Sequence, residues 1–203
     1  MDEIVVSTIT VKAFIDGRVV NLGAKVLNHE RFERLGCRPI VYPYGLCCEE
    51  PNPRAEYLSV CDYVRKNIEF FPLAPMIPMI ETARDFFNAL LNPRRVRLVA
   101  CSSKPKVCVI RLDDTGRDMW VYRKKGFWVL GNSYIVKQTI EEWCREMRGS
   151  HEDCHIYNGA AIIAAILEDY ILRLSIPNPY IIIPDSEWYN SVLLHSIRAQ
   201  PRL

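Results

Sequence analysis

The sequence predicts an α+β protein: an antiparallel sheet, built from an N-terminal hairpin and a four-strand meander around 95–130, packed against C-terminal helices. Three observations carry that expectation. Residues 3–27 are rich in β-branched residues and are divided by Asp16-Gly17, a strong two-residue turn signal. Residues 95–130 fall into four short apolar runs, "RVRLVAC", "KVCVIRL", "DMWVYRK" and "GFWVLG", separated by "SSKP", "DDTG" and "KKG". Connections this short join antiparallel neighbours, because a parallel crossover needs a dozen residues or more. Beyond residue 132 the apolar residues recur at helical spacing.

Taken in order, "IVVSTITVKAFI" and "RVVNLGAKVL" form the first hairpin. Residues 29–56 read as irregular, with His29, Cys37, Pro39, Pro43, Gly45, Cys47-Cys48 and "PNP". Residues 55–70 fit a helix with Leu58, Cys61, Val64 and Ile68 on one stripe. Pro72, Pro75 and Pro78 then favour polyproline II and mark a crossover at 71–79 between two halves of a single domain, 1–203. A short helix over 80–91 is stopped by Asn92-Pro93. After the meander, Asn132 or Ser133 caps a helix over 133–148 that Gly149 closes. Asn158 caps a second, mostly apolar helix running to about Ser175. "PYIII" (179–183) reads as a buried strand, and 185–198 as a terminal amphipathic helix capped by Asp185 or Ser186.

Composition excludes a disordered chain, since 49% of the residues are hydrophobic and 25% charged. The first residues lack a basic n-region, and the longest apolar stretch, 160–167, is about half the ~18 residues of a membrane span. The expectation is an intracellular, cytoplasmic protein without a membrane partner. Charge is polarised along the chain. Residues 94–125 hold ten Lys/Arg against three Asp, while 141–169 hold seven Asp/Glu against two Arg. Such a chain either shows a basic face to an acidic partner or sets the two segments side by side.

Eight cysteines in a cytosolic chain are reduced by default, although intracellular proteins of hyperthermophiles do keep disulfides. Cys144, His151, Cys154 and His155 form a candidate zinc set at a helix end, zinc taking about four S/N ligands. Against it stands the spacing, which lacks a CxxC knuckle. Cys144 and Cys154 as a core residue and a redox pair are the alternatives. His29, Cys37, Cys47, Cys48 and Cys61 form a weaker candidate cluster, and Cys101 and Cys108 bridge if their two strands pair.

The most informative surface signal is "DMWVYRKKGFWVL", which interleaves aromatics with cations. Strand alternation puts Trp120 and Tyr122 on one face, with Phe127 or Trp128 joining one of the faces across the turn. Arg95, Arg97, Lys104, Lys106, Arg123, Lys124 and Lys125 would surround them. Aromatic faces that stack bases, beside cations that follow phosphates, are how single strands are held. No GxSxG, HExxH, P-loop or GxGxxG occurs. The leading expectation is therefore a non-enzymatic nucleic-acid-binding or regulatory protein, single strands favoured. Behind it stand a protein-interaction or homo-oligomeric assembly module anchored by "PLAPMIPMI" or by Trp188 and Tyr189, and a thiol- or metal-dependent hydrolase.

Overall fold

The computed structural model describes residues 4–27, 29–50, 62–63, 66–67, 75–104, 106–149 and 154–199. Of the helix expected over 55–70, residues 62–63 and 66–67 are described and helical, and the rest lies outside the described residues together with 71–74 of the crossover. The remainder of the crossover is a correction: residues 76–79 are not polyproline II but the first turn of a helix, Met76–Leu91, expected to begin at residue 80, and Pro78 is tolerated there because the N–H groups of a first turn have no helical acceptor. Ten strands form one sheet: β1 (Val6–Ile15), β2 (Arg18–Leu27), β3 (Pro39–Tyr42), β4 (Gly45–Cys48), β5 (Val96–Cys101), β6 (Val107–Leu112), β7 (Arg117–Lys124), β8 (Phe127–Asn132), β9 (Ile171–Arg173) and β10 (Tyr180–Ile182). Their spatial order is β4-β3-β1-β2-β9-β10-β8-β7-β6-β5. Five helices accompany them among the described residues: α1 (Glu30–Arg34), α2 (Met76–Leu91), α3 (Ser133–Arg148), α4 (Asn158–Leu167) and α5 (Trp188–Ala199).

The α+β class holds, and so do the first hairpin and the meander β5–β8. The sheet is mixed, however, and not antiparallel throughout. β1 runs parallel to β3, and β2 runs parallel to β9. The reason lies at the end of α4. The apolar run continues past Leu167, so the sequence predicts helix to Ser175, but Asp169 turns left-handed at φ 61°. Tyr170 is then fully buried and its hydroxyl donates to the Phe87 carbonyl. Ile171–Arg173 leaves as a strand between β2 and β10 and welds the two half-sheets together. Residues 39–48, read as irregular, form the β3–β4 hairpin instead. Gly159 lets α4 start against it, since a Cβ there would lie 2.0 Å from the Tyr42 carbonyl oxygen. The capping of α3 is as expected: the Asn132 side chain accepts from the Ile135 N–H, and Gly149 closes the helix at φ 65°. Asn158 is not a cap, because Tyr157 precedes the helix and the Asn158 amide donates to Tyr44 and Asn178.

Burial alternates along the strands. On β7, Met119 and Val121 are buried while Asp118 and Trp120 are exposed. The buried set joins Phe86 and Phe87 of α2, Val136 and Ile140 of α3, Ile162 of α4 and Trp188 of α5 in one core. All four long helices therefore lie on one face of the sheet. None of the four long helices contributes a residue to the apolar cluster on the other face.

Reduced thiols are not what the structure contains. Cys37–Cys48, Cys101–Cys108 and Cys144–Cys154 are disulfides. Cys47 is also disulfide-bonded, and no described cysteine is free. Short loops closed this way restrict the unfolded chain and stabilise by about 3 kcal/mol each in the entropic account.

Candidate nucleic-acid interface

The uncovered face owes its character to alternation. Residues 120, 122 and 124 of β7 face away from the helices, and β7–β8 pairing brings Val129 beside Tyr122 and Phe127 beside Lys124. The hairpin turn is tight because Lys125 and Gly126 both take positive φ, 50° and 88°, as a two-residue primed turn requires. β10 and β9 continue the face with Tyr180, Ile182, Ile171 and Arg173, and β2 with Leu27. Leu27, Val129, Ile171 and Ile182 pack as a small apolar cluster flanked by Tyr122, Phe127 and Tyr180.

A cleft of about 310 Å³ opens over this cluster. Leu27, Val129 and Ile182 form its apolar floor, Tyr122, Phe127 and Tyr180 its walls, and Arg173, Lys124 and Lys125 its cationic rim. The Arg173 guanidinium sits 4.4 Å from the centre of the Tyr180 ring, a cation–π contact that holds both side chains in place. Burial raises the Tyr122 phenol above its ordinary value; the neighbouring Tyr180 adds to the rise and Arg173 opposes it. Tyr122 thus stays a neutral hydrogen-bond donor. Trp120, 68% exposed, extends the aromatic surface towards β6.

The expected binding residues divide into three groups. Trp120, Tyr122, Lys124 and Lys125 share the uncovered side. Lys104 and Lys106 are exposed in the β5–β6 turn, at the end of the sheet where Lys124 and Lys125 lie. Arg123 is exposed but belongs to the helix side, opposite Trp128. Arg95 and Arg97 are occupied, by Asp114 and by Asp113 at 2.7 Å respectively. Trp128 is a correction. It is 4% exposed and stacks on Tyr189 at 4.8 Å, beneath α5. The register Lys124↔Phe127 sends Phe127, not Trp128, to the aromatic face. Arg173 and Tyr180 were missed, since only the β9 and β10 pairings bring them here. "PYIII" was legible as a strand, but not its neighbours.

Charge polarity resolves both ways. Arg117 binds Glu142 and Glu146 of α3 at 2.6 and 2.9 Å, so the basic and acidic segments do lie together there. Arg111 is paired with Asp118 at 2.7 Å, and the Arg111 hydrogen bond holds that carboxyl below the usual range. Lys104, Lys106, Arg123, Lys124 and Lys125 make no ion pair among the described residues.

The zinc set is not assembled. Cys144 and Cys154 are bonded to each other, which removes the thiolates a zinc ion would need. His155 instead lies 3.3 Å from the buried Glu141, and His151 lies outside the described residues. The second cluster is likewise spent: Cys37 and Cys48 are bridged, His29 contacts Ser7 and Glu33, and Cys61 lies outside the described residues. No group of three or more His, Cys, Asp or Glu able to hold a metal occurs among the described residues. Of the anchors expected of an assembly module, Trp188 and Met76 are internal, whereas Ile77 is 51% exposed and Tyr189 is half-buried. Trp188 is 1% exposed and donates through Nε1 to the Leu90 carbonyl, while Met76 is fully buried. No described helix is long and apolar enough to cross a membrane. Comparisons with family models, curated proteins and solved structures find no match to this chain.

Proposed function

We propose that this protein binds single-stranded nucleic acid on the uncovered face of its sheet, acting as a regulatory or protective factor and not as an enzyme of nucleic-acid chemistry. The observation that carries the reading is the cleft at β7–β10, where three aromatic rings over an apolar floor meet three cations. A base entering the cleft stacks on Tyr122, Phe127 or Tyr180, and its phosphates meet Lys124, Lys125 and Arg173. Trp120, two residues before Tyr122 on the same strand face, is about 7 Å away and serves a neighbouring base. Lys104 and Lys106 extend the cationic track beyond that end of the sheet.

The reading places the protein inside the cell, in the cytoplasm, with its disulfides retained as intracellular proteins of hyperthermophiles retain theirs. The test is fluorescence anisotropy with a labelled 12-nucleotide single strand across a salt series. Lys124→Met with Lys125→Met should weaken binding and lower the salt slope by about 0.7 per lost phosphate contact. An unchanged slope would remove this face as the binding surface.

A further inference from the structure

A second cleft, of about 260 Å³, opens beside β1 on the far side of the molecule's first hairpin. β3 pairs with β1 only at Lys12 and Ala13, so the strand residues before them carry no partner on that edge among the described residues. Here two hydrogen bonds link three side chains. Ser7 Oγ lies 2.8 Å from His29 Nδ1. His29 Nε2 lies 2.9 Å from Glu33 Oε1.

The proton positions follow from the partners. An ionised carboxylate only accepts, so Glu33 requires the imidazole proton on Nε2. In the neutral ring Nδ1 is then the acceptor, and the Ser7 hydroxyl is the donor. The hydroxyl proton already points at a base, and that base is oriented by a third group. A serine is activated by this arrangement wherever it occurs, whatever the order of the residues in the chain.

The surroundings suit a substrate. His29 and Glu33 line the cleft, and Ser7 lies two residues before the lining residue Ile9 on the same strand face. The His29 side chain is 19% exposed, sheltered but reachable. Ile9, Phe32 and Pro39 supply apolar wall. The cations of the cleft, Lys12 and Arg38, are matched by Glu49 and Glu50, which favours an uncharged ligand. The Cys37–Cys48 bridge ties the segment after α1 to β4, limiting how far His29 and Glu33 can drift from Ser7.

We propose that Ser7, His29 and Glu33 form a nucleophilic site that hydrolyses small uncharged carboxylic esters. Ser7 Oγ adds to the acyl carbonyl while its proton passes to His29 Nδ1. The ester C–O bond breaks, and the alcohol leaves with that proton. Water then gives a proton to His29, attacks the acyl–Ser7 ester and releases the acid, and the proton returns to Ser7 Oγ. This activity is independent of the nucleic-acid surface.

The test uses the full oxidised chain and an alkyl fluorophosphonate, which forms an Oγ–P bond and expels fluoride. The adduct is located by peptide mass mapping. We expect phosphonylation at Ser7. Heat-unfolded protein should not react. Glu33→Gln, at a side chain 68% exposed, should keep the fold and slow labelling by about tenfold or more. His29→Asn should abolish it. No adduct at Ser7 in the folded chain overturns the proposal, and so does equal labelling of the wild type and Glu33→Gln.

Discussion

Successive side chains of β7 live in different surroundings. Met119 and Val121 are buried under the helices at 6% and 0% exposure, while Trp120 between them is 68% exposed. Two tryptophans on paired strands make the same contrast: Trp128 stacks in the core and Trp120 stands in solvent. On the covered face, large apolar residues are explained by burial, at roughly 25 cal/mol per Å² removed from water. At Trp120 on the other face that explanation fails, because a ring left in water gains nothing from folding. Aromatics grouped there with cations are the feature on which the proposed nucleic-acid surface rests.

That contrast can be broken most forcefully on the covered side. Trp188→Ala removes a fully buried ring and its hydrogen bond to Leu90, and should lower stability by about 3–5 kcal/mol in chemical denaturation. Nucleic-acid affinity per folded molecule should not change. Next, Cys144→Ala with Cys154→Ala opens the bridge between α3 and the start of the following segment. It should cost about 2–4 kcal/mol, read as a lower denaturation midpoint, again without loss of binding. On the uncovered side the pattern should invert. Tyr122→Ala or Tyr180→Ala should weaken single-strand binding by about 1–3 kcal/mol while leaving the melting temperature nearly unmoved. A large melting shift with intact binding would show that these rings serve the fold.

The smallest effect sharpens the electrostatics of the same face. Arg111 holds the Asp118 carboxyl below its ordinary value, so the pair adds stability above the unfolded carboxylate pKa and loses it as pH falls through the lower folded value. Arg111→Met should return Asp118 to the usual carboxylate range in an NMR titration. The pair is solvent-exposed, so the change in stability should be slight.

Local signals were readable in the sequence, and pairings between distant segments were not. Asp16-Gly17 and the four runs of the meander carry their own turn chemistry, so both antiparallel units were legible. The caps of α3 were legible for the same reason, each resting on a single residue type at a helix end. β9 was hidden because its three residues continue an apolar run and differ from helix only through the backbone of Asp169. The β3–β4 hairpin was hidden by the prolines and glycines around it, which read as loop. In the proposed binding face, Tyr122, Lys124 and Lys125 followed from alternation, but Trp128 depended on whether "KKG" closes with two residues or three. Arg173 and Tyr180 required the parallel β2–β9 contact, for which no local residue pattern exists. The Ser7–His29–Glu33 chain was illegible for a related reason, since a hydroxyl on a strand has no signature until the fold sets a histidine beside it.

The position of β9 also governs how the molecule assembles. Each half-sheet, β4-β3-β1-β2 and β10-β8-β7-β6-β5, is built mainly from neighbours close in sequence, whereas Lys25 meets Ile171 across most of the chain. Loop-closure entropy makes such distant pairings late and slow to form. Three residues therefore carry the strand pairing that joins the two half-sheets. Amides of β9 should exchange hydrogen through openings that part the halves, before the interior strands of either half let go.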